Sequence, residues 1–582
     1  MGFQSTIASP KTHFRVTPAK VIVGLVLFTL AIVFSKIAFD GTKVTNVANS
    51  FLIDHVSTNA TSIPQHFDGP VQDLIILLKA ATTAAASRPG SRESEGTPPK
   101  DELNAHDRLH WEEKNPCVSR KELKLRYKSR MSVEHVDPPS ELQVVMDEYS
   151  KLHRACIQAL GDLTILFLSK NPETGCKFLI AEAGNGLGNR IMWMVSNLMY
   201  AILTQRVLLV DPRSLIPSLM CEPFLGSSWA APTEFPFADL RPDLWQTTND
   251  FLATMDNFKV YEDRNGTDAI LVNAARADDN WGPVSQFYCP TEQSIYAKVR
   301  WITLGGCLYF LPELFAIPTF QPVLESIFKD KNPLTHLLRS SMLPKDFVWA
   351  RTRRVEEVYL KNKHQMVGVH VRYHGGYDEY NDHHILVNSN VKGCLVENGI
   401  LPKISHFSLW KLFTSTPKPS SGIVVLFISS LYDSLFDDFK IMYPQDKAIS
   451  KISLLSQEAI SLVHLSSEGQ QLPGFEIDSQ ALVEILCLSF SDVLLTSPVS
   501  TFSQVAQAYG GLKPWIISFE VQAEKHSPAC QKGKSTDGCY QGGGLIYNCP
   551  HDPSVDKLQI MKHVSSLRPC EDGSSGVQII PD

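Results

Sequence analysis

An excess of basic charge is missing: 54 Lys and Arg stand against 61 Asp and Glu, a formal net charge of -7. A nucleic-acid partner normally needs a basic face, so that class is excluded. No Cys-x-x-Cys pair occurs among the 12 cysteines, which argues against the usual zinc spacings. The chain also lacks any D-x-D triplet, the acidic pair that commonly holds a divalent ion under a sugar-nucleotide diphosphate. No metal or other cofactor is therefore expected. No segment repeats at a fixed period, which removes solenoids and propellers.

Long apolar runs are equally scarce, with one exception. Val21 to Phe34 is unbroken, and Ile37 to Phe39 extend it past Ser35 and Lys36. Crossing a bilayer takes roughly 17 to 25 residues, so 21–39 suffices as a transmembrane signal anchor once Lys36 snorkels to the interface. A cleaved signal peptide fits less well, because its apolar region is usually about 7 to 15 residues and no small-x-small site follows at once. Lys11, Arg15 and Lys20 precede the run, which makes 1–20 a cytosolic tail and sends the rest into the lumen as a type II protein. So short a span suits thin early secretory membranes, and the Golgi is the expected location. Asn59 and Asn265 head Asn-x-Thr sequons that a lumenal chain would expose to glycosylation. Cysteines 530, 539, 549 and 570 lie in a Gly/Pro/Ser-rich tail and suit disulfides, whose pairing stays open. Cys487, inside ALVEILCLSF, reads as a buried free thiol.

Residues 40–116 combine a short apolar patch, LIILLKAATTAAAS, with a stretch dominated by Pro, Gly, Ser and charge, and read as a stem. The patch is far too short for a second span and reads as a packed or self-associating helix. CKFLIAEA, the glycine turn, a helix from Ile191 to about Thr204 and VLLVD make one βαβ unit. MVGVHVRYH, SGIVVLFISS, SQALVEILCLSFSD, VLLTSP, TFSQVAQAYGG and PWIISF alternate strand and helix again. An α/β fold follows: a Rossmann-like unit over 117–364, a second doubly wound one over 365–525, and a cysteine-rich tail over 526–582. The two sheets would meet across a cleft, where ligands bind at the carboxyl ends of strands.

Three features carry chemistry. The turn AGNGLGNR, with Asp211 closing the next strand, imitates a dinucleotide loop, but Asn189 stands where the fingerprint wants Gly or Ala. A tight turn with a packing role is the alternative. Arg372 ends a strand too apolar for the surface, and its rigid fork of donors suits a diphosphate; a structural salt bridge is the alternative. Ser497, Ser500 and Thr501 lie where a strand ends and a helix opens, so their hydroxyls either cap that helix or bind phosphate. His383-His384 and Asp378-Glu379 read as a polar loop.

The segments CKFLIAEAGNGLGNRIMWMVSNLMYAILTQRVLLVD, CEPFLGSSWAAPTEFP, VGVHVRYH and STFSQVAQAYGGLKPW, together with the tail cysteines around CYQGGGLIYNC, resemble in this order the conserved blocks of the plant xyloglucan fucosyltransferase family. The resemblance covers roughly residues 115 to 575. It implies a GT-B-like, metal-independent, inverting α-1,2-fucosyltransferase that uses GDP-fucose on galactose of cell-wall glycans. Carried over residue by residue, it puts GLGNR on Gly186, Gly188, Asn189 and Arg190, the diphosphate-binding arginine on Arg372 beside His370, and the next block on Ser500, Thr501 and Phe502. Val499 and Ser503 depart from the family's Trp and Gly. The family's His-Asp-Tyr becomes Asp278-Asp279-Asn280, which keeps Asp279 to orient or deprotonate the acceptor hydroxyl. The implied partners are GDP-fucose, a galactose-bearing glycan and the membrane, with self-association left open. A catalytically inactive glycan-binding or scaffolding homologue is the rival reading.

Overall fold

The computed structural model describes residues 69–86, 105–128, 137–169, 175–182, 184–247, 269–275, 287–361, 363–372, 380–402, 423–443, 459–466, 474–519, 528–541, 549 and 563–581. The expected anchor over 21–39, both sequon asparagines, Asp278 to Asn280 and Asp378-Glu379 lie outside the described residues. Among the described residues no helix is long and apolar enough to cross a membrane.

Two parallel sheets dominate. The first is ordered β2-β1-β5-β4-β3, from β1 (Phe178–Ala181), β2 (Val207–Val210), β3 (Gln246–Thr247), β4 (Ala269–Ala275) and β5 (Trp301–Gly306). FLIA and VLLV are buried along their whole length, as strands covered on both faces must be. The second sheet is built from β6 (Lys363–Val371), β7 (Ile423–Ser430), β8 (Ala459–His464), β9 (Val493–Thr496), β10 (Trp515–Ile517) and β11 (Cys530–Lys532). Its order, β11-β10-β9-β6-β7-β8, is doubly wound, with the direction of winding reversing between β6 and β9. Side chains alternate faces with period two: Val424, Leu426 and Ile428 enter one apolar cluster, Val425 and Phe427 the other.

Of the helices α1 (Gly69–Ala86), α2 (Ser140–Leu160), α3 (Leu187–Leu203), α4 (Tyr380–Glu397), α5 (Phe475–Ser489) and α6 (Thr501–Gly510), three line the site: α3, α5 and α6. Helix α3 is apolar nearly all round and correspondingly buried from Arg190 to Leu203. It packs against α6 and α5, so one core spans both sheets, while the second sheet has a smaller apolar cluster of its own on its other face.

Three expectations change here. The patch LIILLKAATTAAAS is a packed helix, as one reading has it, but belongs to the body and not to the stem: it forms α1, which buries Val71, Leu74, Ile75 and Leu78 against α2 in the main core. The tail is not an appendage, because β11 extends the second sheet antiparallel to β10. β12 (Cys539–Tyr540), β13 (Leu567–Pro569) and β14 (Val577–Ile579) form a third sheet. His383-His384 fall within helix α4 rather than in a loop. The cysteines pair as Cys117–Cys221, Cys156–Cys176, Cys289–Cys549, Cys394–Cys530 and Cys539–Cys570, so two bridges lock the tail back onto the body. Cys307 and Cys487 are buried outside any disulfide, as read for Cys487.

Candidate active site

The glycine turn after β1 brings two helix N-termini together. Asn185 takes a left-handed conformation, φ 66°, and Gly186 caps α3 at φ -64°. At Gly188 a Cβ would sit 2.7 Å from the Phe502 amide nitrogen and 2.8 Å from the Thr501 carbonyl carbon. Only glycine lets α3 meet the start of α6 this closely. Asn189 then joins three segments: its Oδ1 accepts from Thr501 Oγ1 at 2.8 Å and its Nδ2 donates to the Cys307 carbonyl at 3.1 Å. Arg190 is buried, with Nε donating to Asn185 O at 3.0 Å, Nη1 to Ser214 O at 2.6 Å and Nη2 to Asp478 Oδ1 at 2.7 Å. The turn thus packs helix against helix and at the same time lines the cavity described below.

The facing side comes from the switch point of the second sheet. His370 at the end of β6 stacks on Phe502, ring centres 4.8 Å apart and planes 15° off parallel. The Arg372 amide donates to Ser497 Oγ at 3.1 Å, and the Ser497 amide to His370 O at 3.0 Å, which ties the ends of β6 and β9 together. Among the described residues the Arg372 guanidinium has no hydrogen bond, ion pair or ring partner.

The three hydroxyls do not act together. Val499 adopts φ 54°, a strained choice for a β-branched residue, held by its amide donating to Asp572 Oδ2 at 3.0 Å. Around that turn Ser497 serves the Arg372 amide, and Ser500 sits at the N-cap of α6 without capping it. Ser500 Oγ is buried without a partner among the described residues. Thr501 alone of the three lines the cleft.

Between the sheets lies a cavity of about 580 Å³. It is lined by Gly186, Gly188, Asn189, Arg190, His370, Arg372, Thr501 and Phe502 from the expected set; Ser497 lines a much smaller neighbouring void of about 20 Å³. Asp279 lies outside the described residues. Sequence reading missed Ser429, Ser466, Asp478, Gln480 and Glu484, which also line the cavity. Glu484 is buried on α5 and accepts from Ser429 Oγ at 2.7 Å and Ser466 Oγ at 2.6 Å through Oε2, and from Gln480 Nε2 at 3.3 Å through Oε1. An acid in the middle of the apolar run ALVEILCLS was the available signal, since an ionisable group on a buried face needs a reason. Beside the glycine turn, burial raises Glu182 to about 7, opposed by the hydrogen bond from the Ala238 amide and reinforced by Asp239 and Asp211.

Two α/β sheets whose strand carboxyl ends face one cavity of this volume define a GT-B-like architecture. The xyloglucan fucosyltransferase family model matches residues 80–550. The chain is 30% identical over 452 residues to galactoside 2-alpha-L-fucosyltransferase of Arabidopsis thaliana, covering 76% of this chain and 77% of that protein. It is likewise 30% identical over 454 residues to the Pisum sativum protein of the same name, covering 76% of each. A solved point mutant of Arabidopsis thaliana FUT1 in complex with GDP superposes with a TM-score of 0.63 at 26% identity, covering 84% of this chain and 98% of that one. The chain belongs to the xyloglucan fucosyltransferase family.

Proposed function

We propose that this protein is an inverting galactoside 2-α-L-fucosyltransferase that moves fucose from GDP-fucose to a galactose of cell-wall glycans such as xyloglucan, forming an α-1,2 linkage. The observation that carries this reading is Arg372, a partner-free guanidinium among the described residues, at a cavity of about 580 Å³ in a chain of this family. Cavities of roughly 300 to 1,000 Å³ suit ligands of nucleotide-sugar size.

The reaction is read as a single displacement at fucose C1, with negative charge growing on the departing GDP. Arg372 meets that charge, helped by the amide dipoles at the N-termini of α3 and α6, and no metal is invoked. The stacked His370–Phe502 pair offers a flat wall for the donor. Glu484 keeps lone pairs beyond those that Ser429, Ser466 and Gln480 engage, and a buried carboxylate suits a base whose edge carries N–H donors, as guanine's does. Asp279 is assigned to the acceptor hydroxyl on the family pattern alone. A type II anchor over 21–39 and a lumenal Golgi head complete the reading, supported by the apolar run and the basic residues before it.

The test is radiolabel transfer from GDP-fucose to galactose-bearing xyloglucan by the full chain with EDTA present. Transfer that survives EDTA and is lost in Arg372→Ala supports the proposal. Wild type that binds GDP without transfer to any galactoside favours the glycan-binding alternative, and wild type that fails to bind GDP ends the enzyme reading.

A further inference from the structure

Two arginines line the cavity, and they are held differently. Arg190 and Asp478, 288 positions apart, form an ion pair at 2.7 Å with side chains only 4% and 6% exposed. The other engaged donors of Arg190 reach the glycine turn at Asn185 and the segment after β2 at Ser214. One guanidinium therefore joins the turn, the first sheet's carboxyl edge and the first turn of α5. The second oxygen of Asp478, Oδ2, is buried with no partner among the described residues, so Arg190 is the group that compensates this carboxylate. The Asn189–Thr501 hydrogen bond and the Gly188 contact with Phe502 close the same seam beside it.

We propose that Asp478 is a positioning residue for the donor cavity: it takes up the charge of Arg190 and clamps α3 to α5, fixing the cavity's width and leaving Arg372 to meet the diphosphate. This rests on the donor-cavity reading above. Were Arg190 a diphosphate ligand as well, it would have only the two N–H donors that Asn185, Ser214 and Asp478 leave over, because breaking its pair with the buried carboxylate is strongly unfavourable. A guanidinium with three of its five donors already engaged in rigid geometry is built to hold protein segments.

The experiment is GDP titration by calorimetry and steady-state kinetics on the full chain, with Asp478→Asn, Asp478→Glu, Arg190→Lys and the double variants. Asp478→Asn is expected to weaken GDP and raise donor KM by about 10-fold or more, as small misplacements of a site do, with acceptor KM held within about twofold. Asp478→Glu, which keeps the charge, should recover most of the donor affinity. Because Arg190 acts through Asp478, the Arg190→Lys/Asp478→Asn double variant should match the worse single variant instead of multiplying the two. If Asp478→Asn does not fold, Arg190→Lys alone decides: it should weaken GDP and raise donor KM with acceptor KM held, and unchanged GDP affinity in it overturns the proposal. Multiplicative effects, or unchanged GDP affinity in Asp478→Asn beside a wild type that binds, overturn the proposal alone. A wild type that does not bind GDP overturns the donor-cavity reading and this proposal with it.

Discussion

Arg190 and Arg372 are the same residue type on the same cavity, one on each sheet's carboxyl edge, and they are put to opposite uses. Arg190 has its guanidinium against two carbonyls and a carboxylate, whereas the Arg372 guanidinium has no partner among the described residues. In the reading proposed above, the first edge serves as a joint and the second as a binding surface. A conserved-looking glycine turn with an arginine behind it is thus no guide to ligand contact until its donors are accounted for.

The contrast is broken most directly at Arg372. Arg372→Ala should lower kcat by about 10²- to 10³-fold with little change in melting temperature, since one transition-state donor is lost and, among the described residues, no hydrogen bond or ion pair of its guanidinium with it. A fall in melting temperature comparable to that of a core variant would show Arg372 to be a structural residue. Arg190→Ala should do the reverse, destabilising the fold by about 3–5 kcal/mol because it strands the buried Asp478 carboxylate. Denaturant unfolding reads this, and a loss near zero would remove the joint from the picture. Gly188→Ala tests the seam with no charge involved: its Cβ meets backbone atoms at 2.7 and 2.8 Å, so α3 and α6 must part. The expected cost is about 1–3 kcal/mol, with donor KM raised because Thr501 and Phe502 move with α6.

How much of this was legible follows the same division. Arg372 stood out in sequence because a charged residue closes an apolar strand, and the two alternating series disclosed both sheets. What escaped depends on partners remote in the chain. Asp478 has meaning only beside Arg190, and the five cystine pairings need Cα positions that composition does not contain. The patch LIILL reads as a packed or self-associating helix but is placed in the stem, because α2, the surface it buries against, comes much later in the sequence. The hydroxyls of Ser497 and Ser500 read as capping a helix or binding phosphate, Ser500 also on the family pattern, whereas a left-handed Val499 stands between them. Backbone handedness at a β-branched residue is a tertiary decision and leaves no local signature.

The smallest effect expected separates scaffold from site by pH. Asp537 is fully buried in the tail beneath the shared core, and burial lifts it from 3.8 to about 8, against the hydrogen bonds from Tyr309 and the Gly538 amide. Its Oδ2 has no partner among the described residues, as suits a carboxyl that keeps its proton. The folded chain then holds a proton that the unfolded chain releases near 3.8, so this contribution is full at low pH and fades as pH climbs through about 8. Melting temperature should fall from pH 5 to pH 8.5 in wild type, and Asp537→Asn should flatten that part of the slope while donor KM keeps its wild-type pH profile. A donor KM that follows the same titration would mean that the tail reaches the cavity through α6, whose Gln507 donates to the Asp537 carbonyl at 2.9 Å, and the line between joint and binding surface would have to be redrawn to include it.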